Sequence, residues 1–248
     1  MMKILLYDIE TAPNLAFVWG MYEQNVIEFK SEWYILSFSA KWLGRSEVMT
    51  RALPDYPGYE KDKENDLLLL KDLWELMSEA DVIVGHNSDA FDNKKVNTRF
   101  IELGFSPPEP YRTVDTRKIA KKHFAFNSNK LDDLGRRLGV GRKIKTGGFE
   151  LWRGCLDGDE KSWAKMKKYN RQDVLLLEKV YLKLRPWGGH PNIAALAEAD
   201  VCGRCGSDHL NKRGRGVTLK GVYQIWRCMK CGGSVKGPVG KTTELSVL

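Results

Sequence analysis

The sequence predicts an α/β fold in which a mixed sheet is flanked by helices, followed by a small cysteine-rich module. Three observations lead to this prediction. Residues 3–9 form a nearly continuous apolar run, as expected of a central strand that is buried on both faces. Strand-like stretches come first, and helical patterns alternate with short strands later. Two Cys-x₂-Cys pairs then follow near the C-terminus.

The first part of the chain predicts an antiparallel meander that precedes the first helix. After the central strand, β-rich stretches lie at 25–30, 34–43 and 47–53. A helix is predicted at 64–79, because its apolar residues recur every three or four positions and so share one face.

The second part of the chain alternates strands with helices. Gly104 ends one predicted helix, and Pro186 ends the last one. The elements predicted here are strands at 81–85 and 112–116 and helices at 90–103, 117–124, 129–138 and 160–184. The predicted domains are an α/β domain over 1–187, a linker over 188–199, and a cysteine module with a basic tail over 200–248.

The positive charge of the chain is concentrated at its C-terminal end. The net charge is +8, and residues 201–248 hold nine Lys and Arg against two acids, which is +7. A cationic appendage favours a polyanionic partner, because each neutralised phosphate releases counterions. A solvated basic surface is the alternative that charge alone leaves open.

Three separated segments carry carboxylates in contexts that suit a metal site. Asp8 and Glu10 lie two apart at the end of the first strand, so both point to the same face. Asp92 lies in the first turn of a predicted helix, and Tyr169 and Asp173 lie four apart on another helix, again on one face. Taken singly, each has a structural explanation: a solvated strand end, a helix dipole effect, or the edge of the core.

Taken together and in this order, these segments resemble the DEDD exonucleases, in the subgroup that uses a tyrosine. They are similar in particular to the proofreading exonuclease domain of family B DNA polymerases and its stand-alone relatives. The resemblance covers residues 3–184, and the strings that carry it are Tyr7-Asp-Ile-Glu-Thr11, His86-Asn87…Phe91-Asp92 and Tyr169-Asn-x-x-Asp173. It implies a ribonuclease-H-like fold and a metal-dependent 3′→5′ exonuclease, with single-stranded DNA favoured over RNA as substrate.

The resemblance also implies a role for each acid. Asp8, Glu10 and Asp173 bind one Mg²⁺ or Mn²⁺, Asp8 bridges to a second ion, and Asp92 supports the second ion through water. Oxygen-only ligands suit these hard cations, and two of them stabilise an in-line displacement at phosphorus. Tyr169 orients the attacking water, since an unperturbed phenol is a poor general base.

Several other residues are predicted to contact the substrate. Those in the α/β domain are Thr11, Asn87, Phe91, Lys143 and Lys145. Asn87 and Phe91 match positions near the terminal nucleotide in relatives, with core packing an equal alternative for Phe91. Lys143 and Lys145 lie in a basic, glycine-rich loop that suits phosphate contacts. Asp115 resembles a recurrent acid of the family outside its metal-binding set, and a structural role is favoured for it.

The cysteine module predicts a structural zinc site. Its two knuckles contain Cys202, Cys205, Cys228 and Cys231. A reducing compartment favours metal over disulfides, and four cysteines complete the tetrahedral shell of structural Zn²⁺, with redox thiols as the alternative. The predicted fold is a zinc ribbon. Its candidate nucleic-acid contacts are Arg213, Arg215 and Trp226, accompanied by Lys212, Lys220, Tyr223 and Arg227.

We therefore expect a metal-dependent 3′→5′ exonuclease that binds nucleic acid. Two alternatives are open: a ribonuclease-H-like endonuclease or junction resolvase, and a non-catalytic nucleic-acid-binding adaptor. The ribbon could instead pack on its own domain or bind a replication or repair protein. The apolar run at the start predicts no secretory signal, and no apolar stretch approaches the length of a membrane helix, so we expect a cytoplasmic protein of a bacterial or phage-infected cell.

Overall fold

The computed structural model describes residues 2–22, 25–189, 191–196, 200–218 and 221–239. Lys220, parts of the predicted linker and the end of the basic tail lie outside these residues. Within them, the strands are β1 (Ile4–Thr11), β2 (Leu15–Phe17), β3 (Glu28–Ser31), β4 (Ile35–Trp42), β5 (Met49–Ala52), β6 (Val82–Gly85), β7 (Arg112–Asp115), β8 (Leu210–Thr218), β9 (Gly221–Cys228) and β10 (Ser234–Val239).

A five-stranded mixed sheet forms the centre of the α/β part, with the order β5-β4-β1-β6-β7. Strand β1 is central: it pairs antiparallel with β4 and parallel with β6. Its side chains alternate between two buried clusters: Leu5, Tyr7 and Ile9 lie in one, and Ile4 and Leu6 lie in the other. This burial on both faces explains the continuous apolar run in the sequence.

Six helices within the described residues cover the sheet. They are α1 (Leu67–Glu79), α2 (Asp92–Glu102), α3 (Thr116–His123), α4 (Leu131–Arg137), α5 (Glu150–Asp157) and α6 (Glu160–Leu184). The long helix α6 packs on β1, β4 and β5. Its buried face includes Tyr169 and Asp173, so this helix carries polar side chains to the central strand.

Two features differ from the sequence prediction. The stretch at 25–30 was predicted to join the meander, but β3 pairs with β2 in a separate two-stranded sheet. Apolar residues indicate a strand but do not identify its partner, and the apolar side chains here stay exposed, such as Phe29 of β3 at 44%. Helix α5 was not predicted. It buries only Leu151 and Cys155, too few positions for a clear helical period.

A third sheet lies at the C-terminal end of the described chain. Its three strands are antiparallel in the order β10-β9-β8, and the cysteine knuckles lie beside them. The predicted fold class, a mixed ribonuclease-H-like sheet with helices and a small cysteine-bearing sheet, is confirmed. The borders at 187 and 200 stay a prediction. Among the described helices, none combines the length and apolar character that a bilayer span requires.

Candidate active site and cysteine cluster

Three carboxylates from two distant segments meet at the C-terminal end of β1. Oxygens of Asp8, Glu10 and Asp173 lie within 4.8 Å of one another. The first two share a face of β1, and α6 brings Asp173 to the same point. Asp173 is fully buried, and its Oδ1 makes no hydrogen bond among the described residues. A buried carboxylate oxygen without a donor is a ready ligand for a cation.

Asn170 fastens helix α6 to the central strand. Its Nδ2 donates to Asp8 Oδ2 at 2.8 Å, and Ser37 Oγ donates to its Oδ1 at 3.4 Å. Asn170 is fully buried, so these bonds satisfy an amide that burial would otherwise destabilise. No role was predicted for Asn170 from the sequence. Its position three residues before Asp173, on the same helix face, is the signal that could have identified it.

The fourth acid, Asp92, lies beside this group and not within it. Its Oδ1 accepts a hydrogen bond from the backbone N–H of Ile9 at 3.3 Å, between the two acids of β1. Asp92 is the first residue of α2, two residues after the predicted start of this helix and within its first turn, as predicted. The main-chain tether places this carboxylate at the edge of the cluster, outside the set of three that could share one ion.

The protein environment opposes the charge of these acids. Burial, with Asp92, Glu10 and Asp173 nearby, raises the pKa of Asp8 well above its ordinary range. Burial and Asp173 raise the pKa of Glu10 to about 8, and burial raises that of Asp92 to about 6. Buried like charges are stable together only if protons or cations neutralise them. This donor set therefore fits a hard divalent cation such as Mg²⁺ or Mn²⁺.

A lysine already reaches the acid cluster. Lys143 Nζ lies 2.6 Å from Asp173 Oδ2 and donates to Tyr169 Oη at 2.8 Å. Lys143 lies in the loop between α4 and α5. The backbone N–H of Lys143 donates to Asp132 Oδ1 at 2.7 Å. The prediction that Lys143 contacts phosphate stays a prediction. In the structure its ammonium neutralises Asp173 and positions the phenol of Tyr169.

The loop after β6 is organised by hydrogen bonds. Asn87 has a φ of 64°, a left-handed conformation that Asn tolerates better than most residues. Its backbone N–H donates to Asp115 Oδ1 at 2.9 Å, and its side-chain oxygen accepts from Arg117 at 2.6 Å. Asp115 also caps α3 by accepting from the N–H groups of Arg117 and Lys118. Asp115 therefore has the structural role that the sequence analysis favoured.

The remaining predicted contacts of the α/β part lie at its surface. Phe91 precedes Asp92 and is 41% exposed, so its ring is not part of the core. Thr11 is half-buried at the end of β1, and Lys145 is exposed two residues after Lys143.

His86, in the loop after β6, forms hydrogen bonds with Thr116 and with the carbonyl of Asn129, and burial lowers its pKa to about 4. It is therefore neutral near pH 7.

The four cysteines of the knuckles form a compact cluster. Cys202 and Cys231 sulfurs lie 3.8 Å apart, and those of Cys205 and Cys228 lie 3.6 Å apart. A tetrahedral ion with Zn–S bonds of ~2.3 Å would separate its sulfurs by ~3.8 Å. The spacing and the all-thiolate donor set therefore fit structural Zn²⁺. The remaining cysteine, Cys155, is buried in the main core.

The predicted contacts of the cysteine module lie on its hairpin. Arg213 and Arg215 are exposed on β8, with Arg213 at a register irregularity opposite β9. Trp226 is half-buried on β9, and Lys212 Nζ lies 5.4 Å from the centre of its ring. Their contact with nucleic acid stays a prediction.

The raised pKa values predict that the free energy of unfolding falls as pH rises when Mg²⁺ and Mn²⁺ are absent. The pKa of Glu10 is about 8 in the folded protein against 4.5 ordinarily, so the folded state holds a proton that the unfolded state releases. The contribution of protonated Glu10 to the free energy of unfolding is fully present below pH 4.5 and is lost as pH rises through about 8. The loss is at most ~1.4 kcal/mol per pH unit.

Urea unfolding at several pH values, after dialysis to remove Mg²⁺ and Mn²⁺, measures this effect. Glu10→Gln protein should show a smaller fall over the same range, because its side chain does not ionise. Addition of Mn²⁺ should reduce the fall in the unchanged protein. Identical pH profiles for the unchanged protein and Glu10→Gln would contradict the assignment.

A family model described as the RNase H superfamily matches residues 41–185, more than half of the chain. The chain belongs to the RNase H superfamily. The matched region includes Asp92, Tyr169 and Asp173, whereas Asp8 and Glu10 precede it. Membership indicates a nucleic-acid-binding phosphodiesterase. A comparison with curated proteins found no match.

A solved structure with the same fold is that of the family B DNA polymerase from the hyperthermophilic archaeon Pyrobaculum calidifontis. The TM-score is 0.54 at 18% sequence identity, over 91% of this chain and 32% of the polymerase. The chain therefore spans about a third of that protein. At this identity the likeness extends to the fold of this RNase H superfamily member, and activity needs its own argument.

Proposed function

We propose that this RNase H superfamily protein is a metal-dependent 3′→5′ exonuclease that hydrolyses nucleic acid, with single-stranded DNA preferred over RNA. The observation that carries the proposal is the meeting of Asp8, Glu10 and Asp173 within 4.8 Å at the end of the central strand. These residues belong to strings that resemble the tyrosine-type DEDD exonucleases. The likeness of fold to a family B DNA polymerase supports the same assignment.

In this proposal Asp8, Glu10 and Asp173 hold the divalent cation, and Asp92 contributes from the edge of the cluster. When bound, Mg²⁺ or Mn²⁺ would stabilise the attacking and leaving oxygens of an in-line displacement at phosphorus. Asn170 keeps the Asp8 carboxylate oriented through its 2.8 Å hydrogen bond. The hydrogen bond between Ile9 and Asp92 does the same for the fourth acid.

Tyr169 would orient the attacking water and not remove its proton. Burial, followed by the charges of Asp173 and Glu10, raises the pKa of this phenol, so it stays protonated at neutral pH. Lys143 donates to its oxygen, and the phenolic hydrogen can then donate in turn. The same lysine lies against Asp173, so it couples the orientation of the phenol to that of a metal-binding acid.

The deciding experiment is a time course with 5′-labelled single-stranded DNA, duplex DNA and RNA in Mg²⁺ or Mn²⁺. We expect ladders that shorten from the 3′ end, fastest for single-stranded DNA. A circular single strand has no 3′ end and should remain intact. Cleavage of the circle would instead indicate an endonuclease, and the absence of metal-dependent degradation would indicate a nucleic-acid-binding adaptor.

Replacement of Tyr169 by phenylalanine should slow cleavage about tenfold, since an orienting hydrogen bond contributes ~1–2 kcal/mol. The phenyl ring keeps the packing against Trp152, whose ring centroid lies 6.2 Å away, so folding should be unaffected. Single-turnover rates at saturating enzyme measure the effect, with thermal unfolding as the control. An unchanged rate would remove Tyr169 from the mechanism and leave the acids in place.

A further inference from the structure

A basic cleft lies between the end of helix α6 and the cysteine knuckles. Its volume is about 910 Å³, which lies at the upper end of the range for ligand-binding clefts in proteins. The cations that line it come from both parts of the chain: Lys179, Lys183, Arg185, Arg204, Arg227 and Lys230. The described residues that line the cleft include no Asp or Glu.

The charge of the cleft exceeds what the neighbouring zinc site can neutralise. Four thiolates with one Zn²⁺ carry a net charge of −2, so part of the cleft's charge of +6 offsets the cluster. A surplus of about +4 remains. No ion pair joins any of the six cations to an acid in the described part of the chain. Unneutralised cations that converge on one space favour a polyanionic occupant.

The cleft is connected to the candidate active site by a short loop. Val140 lines the cleft, and Lys143, three residues later, contacts Asp173. Three residues of extended chain span at most ~11 Å. At the ~3.4 Å spacing of stacked nucleotides, about three nucleotides cover that distance. A strand whose 3′ end lies at the acids can therefore reach the cleft with the phosphates that precede this end.

The apolar lining of the cleft also suits a strand with exposed bases. Trp187 is 58% exposed and packs by one edge contact against Phe124, with ring centroids 5.0 Å apart. Leu182 is also exposed beside it. An aromatic ring among phosphate-binding cations is the usual composition of a single-strand groove, where bases stack and the backbone is held by charge.

We propose that this cleft binds the phosphodiester backbone of a single nucleic-acid strand, upstream of the end held at the acids. The inference rests on the proposed exonuclease function for the direction of the strand. It differs from the main sequence prediction, which placed the contacts of the module on Arg213, Arg215 and Trp226 of the hairpin. None of these three lines the cleft, whereas Arg227, which was predicted to accompany them, does.

Lys179→Gln/Lys183→Gln tests the cleft, because both side chains line it, both are exposed, and neither is a zinc ligand. In an Asp8→Asn background that prevents hydrolysis, fluorescence anisotropy with a labelled 12-nucleotide DNA strand is measured against NaCl. Loss of two phosphate contacts should reduce the slope of log K against log salt by about 1.4. If the variant and the background protein bind equally at ~1 M salt, the affinity of the variant should be about 25-fold lower at ~0.1 M salt.

Two matched variants identify where the strand binds. Lys71→Gln/Lys161→Gln removes the same charge from exposed positions that do not line the cleft, and should leave the slope unchanged. Arg213→Gln/Arg215→Gln tests the hairpin. A slope reduced by the hairpin variant and unchanged by the Lys179→Gln/Lys183→Gln variant would overturn the proposal. Tighter binding of a 12-residue polyglutamate than of the DNA would also overturn it, in favour of an acidic protein partner.

The outcome is separable from that of the exonuclease proposal. Degradation of DNA by unchanged protein and by Lys179→Gln/Lys183→Gln, with equal slopes, would refute the cleft and leave the nuclease standing. Salt-dependent binding through the cleft without degradation by protein that retains Asp8 would support the cleft and refute the nuclease.

Discussion

Asp8→Asn protein is expected to lose cleavage by about three orders of magnitude, or ~4 kcal/mol of transition-state stabilisation. Asp8 is the acid at which burial and three neighbouring acids act together, so it depends most on a compensating cation. An asparagine removes the charge and keeps an oxygen that can accept the hydrogen bond from Asn170. The measurement is the initial rate on single-stranded DNA in Mn²⁺.

The same substitution should not destabilise the fold. Burial opposes the charged form of Asp8, so thermal unfolding without divalent cations should occur at an equal or higher temperature in the variant. The rise in unfolding temperature that Mn²⁺ produces in unchanged protein should be smaller in the variant, because one ligand is missing.

Asp157→Asn is the matched control, because Asp157 ends α5 and lies outside the acid cluster. Its rate should stay within about twofold of the unchanged protein, as for most surface substitutions. Retention of full activity by Asp8→Asn would refute the acid assignment. A loss of activity accompanied by unfolding would move the effect to folding, and Asp173→Asn would then repeat the test from α6.

Cys228→Ser is expected to abolish zinc binding and to unfold the C-terminal sheet. Structural Zn²⁺ contributes ~10–16 kcal/mol of apparent binding energy to small modules of this kind. The strands β8 to β10 bury little apolar surface of their own. Among their described residues, the zinc ligand Cys228 is fully buried, and no large apolar side chain is. Without the ion, this sheet therefore lacks a core that could replace it.

Zinc content by mass spectrometry and limited proteolysis measure this prediction. Unchanged protein should hold one zinc per chain, and the variant should hold none and be cut within the C-terminal sheet. The main sheet should survive, because its two buried clusters contain none of the knuckle cysteines. Cys155→Ala is the control: it removes a thiol from the main core and should leave zinc bound.

A redox role for the cysteines has a different signature. Oxidation would shorten a sulfur pair to ~2.0 Å and lower the mass by two hydrogens per bond. Cys228→Ser protein that keeps its zinc and resists proteolysis would contradict the structural metal site. Protein isolated with two disulfides and without zinc would support the redox alternative.

The acids that meet in the candidate site were predictable, and their surroundings were not. Spacing places Asp8 with Glu10, and Tyr169 with Asp173, on one face of a strand or helix, and the resemblance to the DEDD exonucleases joined these pairs with Asp92. The partners of these residues could not. The bond from Asn170 to Asp8 joins residues that are 162 positions apart, and the one from Ile9 to Asp92 joins residues that are 83 apart.

What the sequence by itself determined is the order and type of the main elements, the acids that meet at the end of β1, and the four cysteines. The elements and the cysteines depend on local patterns, which are an apolar run, a period of 3.6 or 2, or a short spacing; the acids depend on such patterns together with the resemblance to the DEDD exonucleases. Only the tertiary structure decided that β2 and β3 pair apart from the main sheet, that Lys143 neutralises Asp173, and that α6 and the knuckles enclose a basic cleft. These contacts join residues that are distant in the chain, and the packing of whole elements, which no local pattern encodes, brings them together.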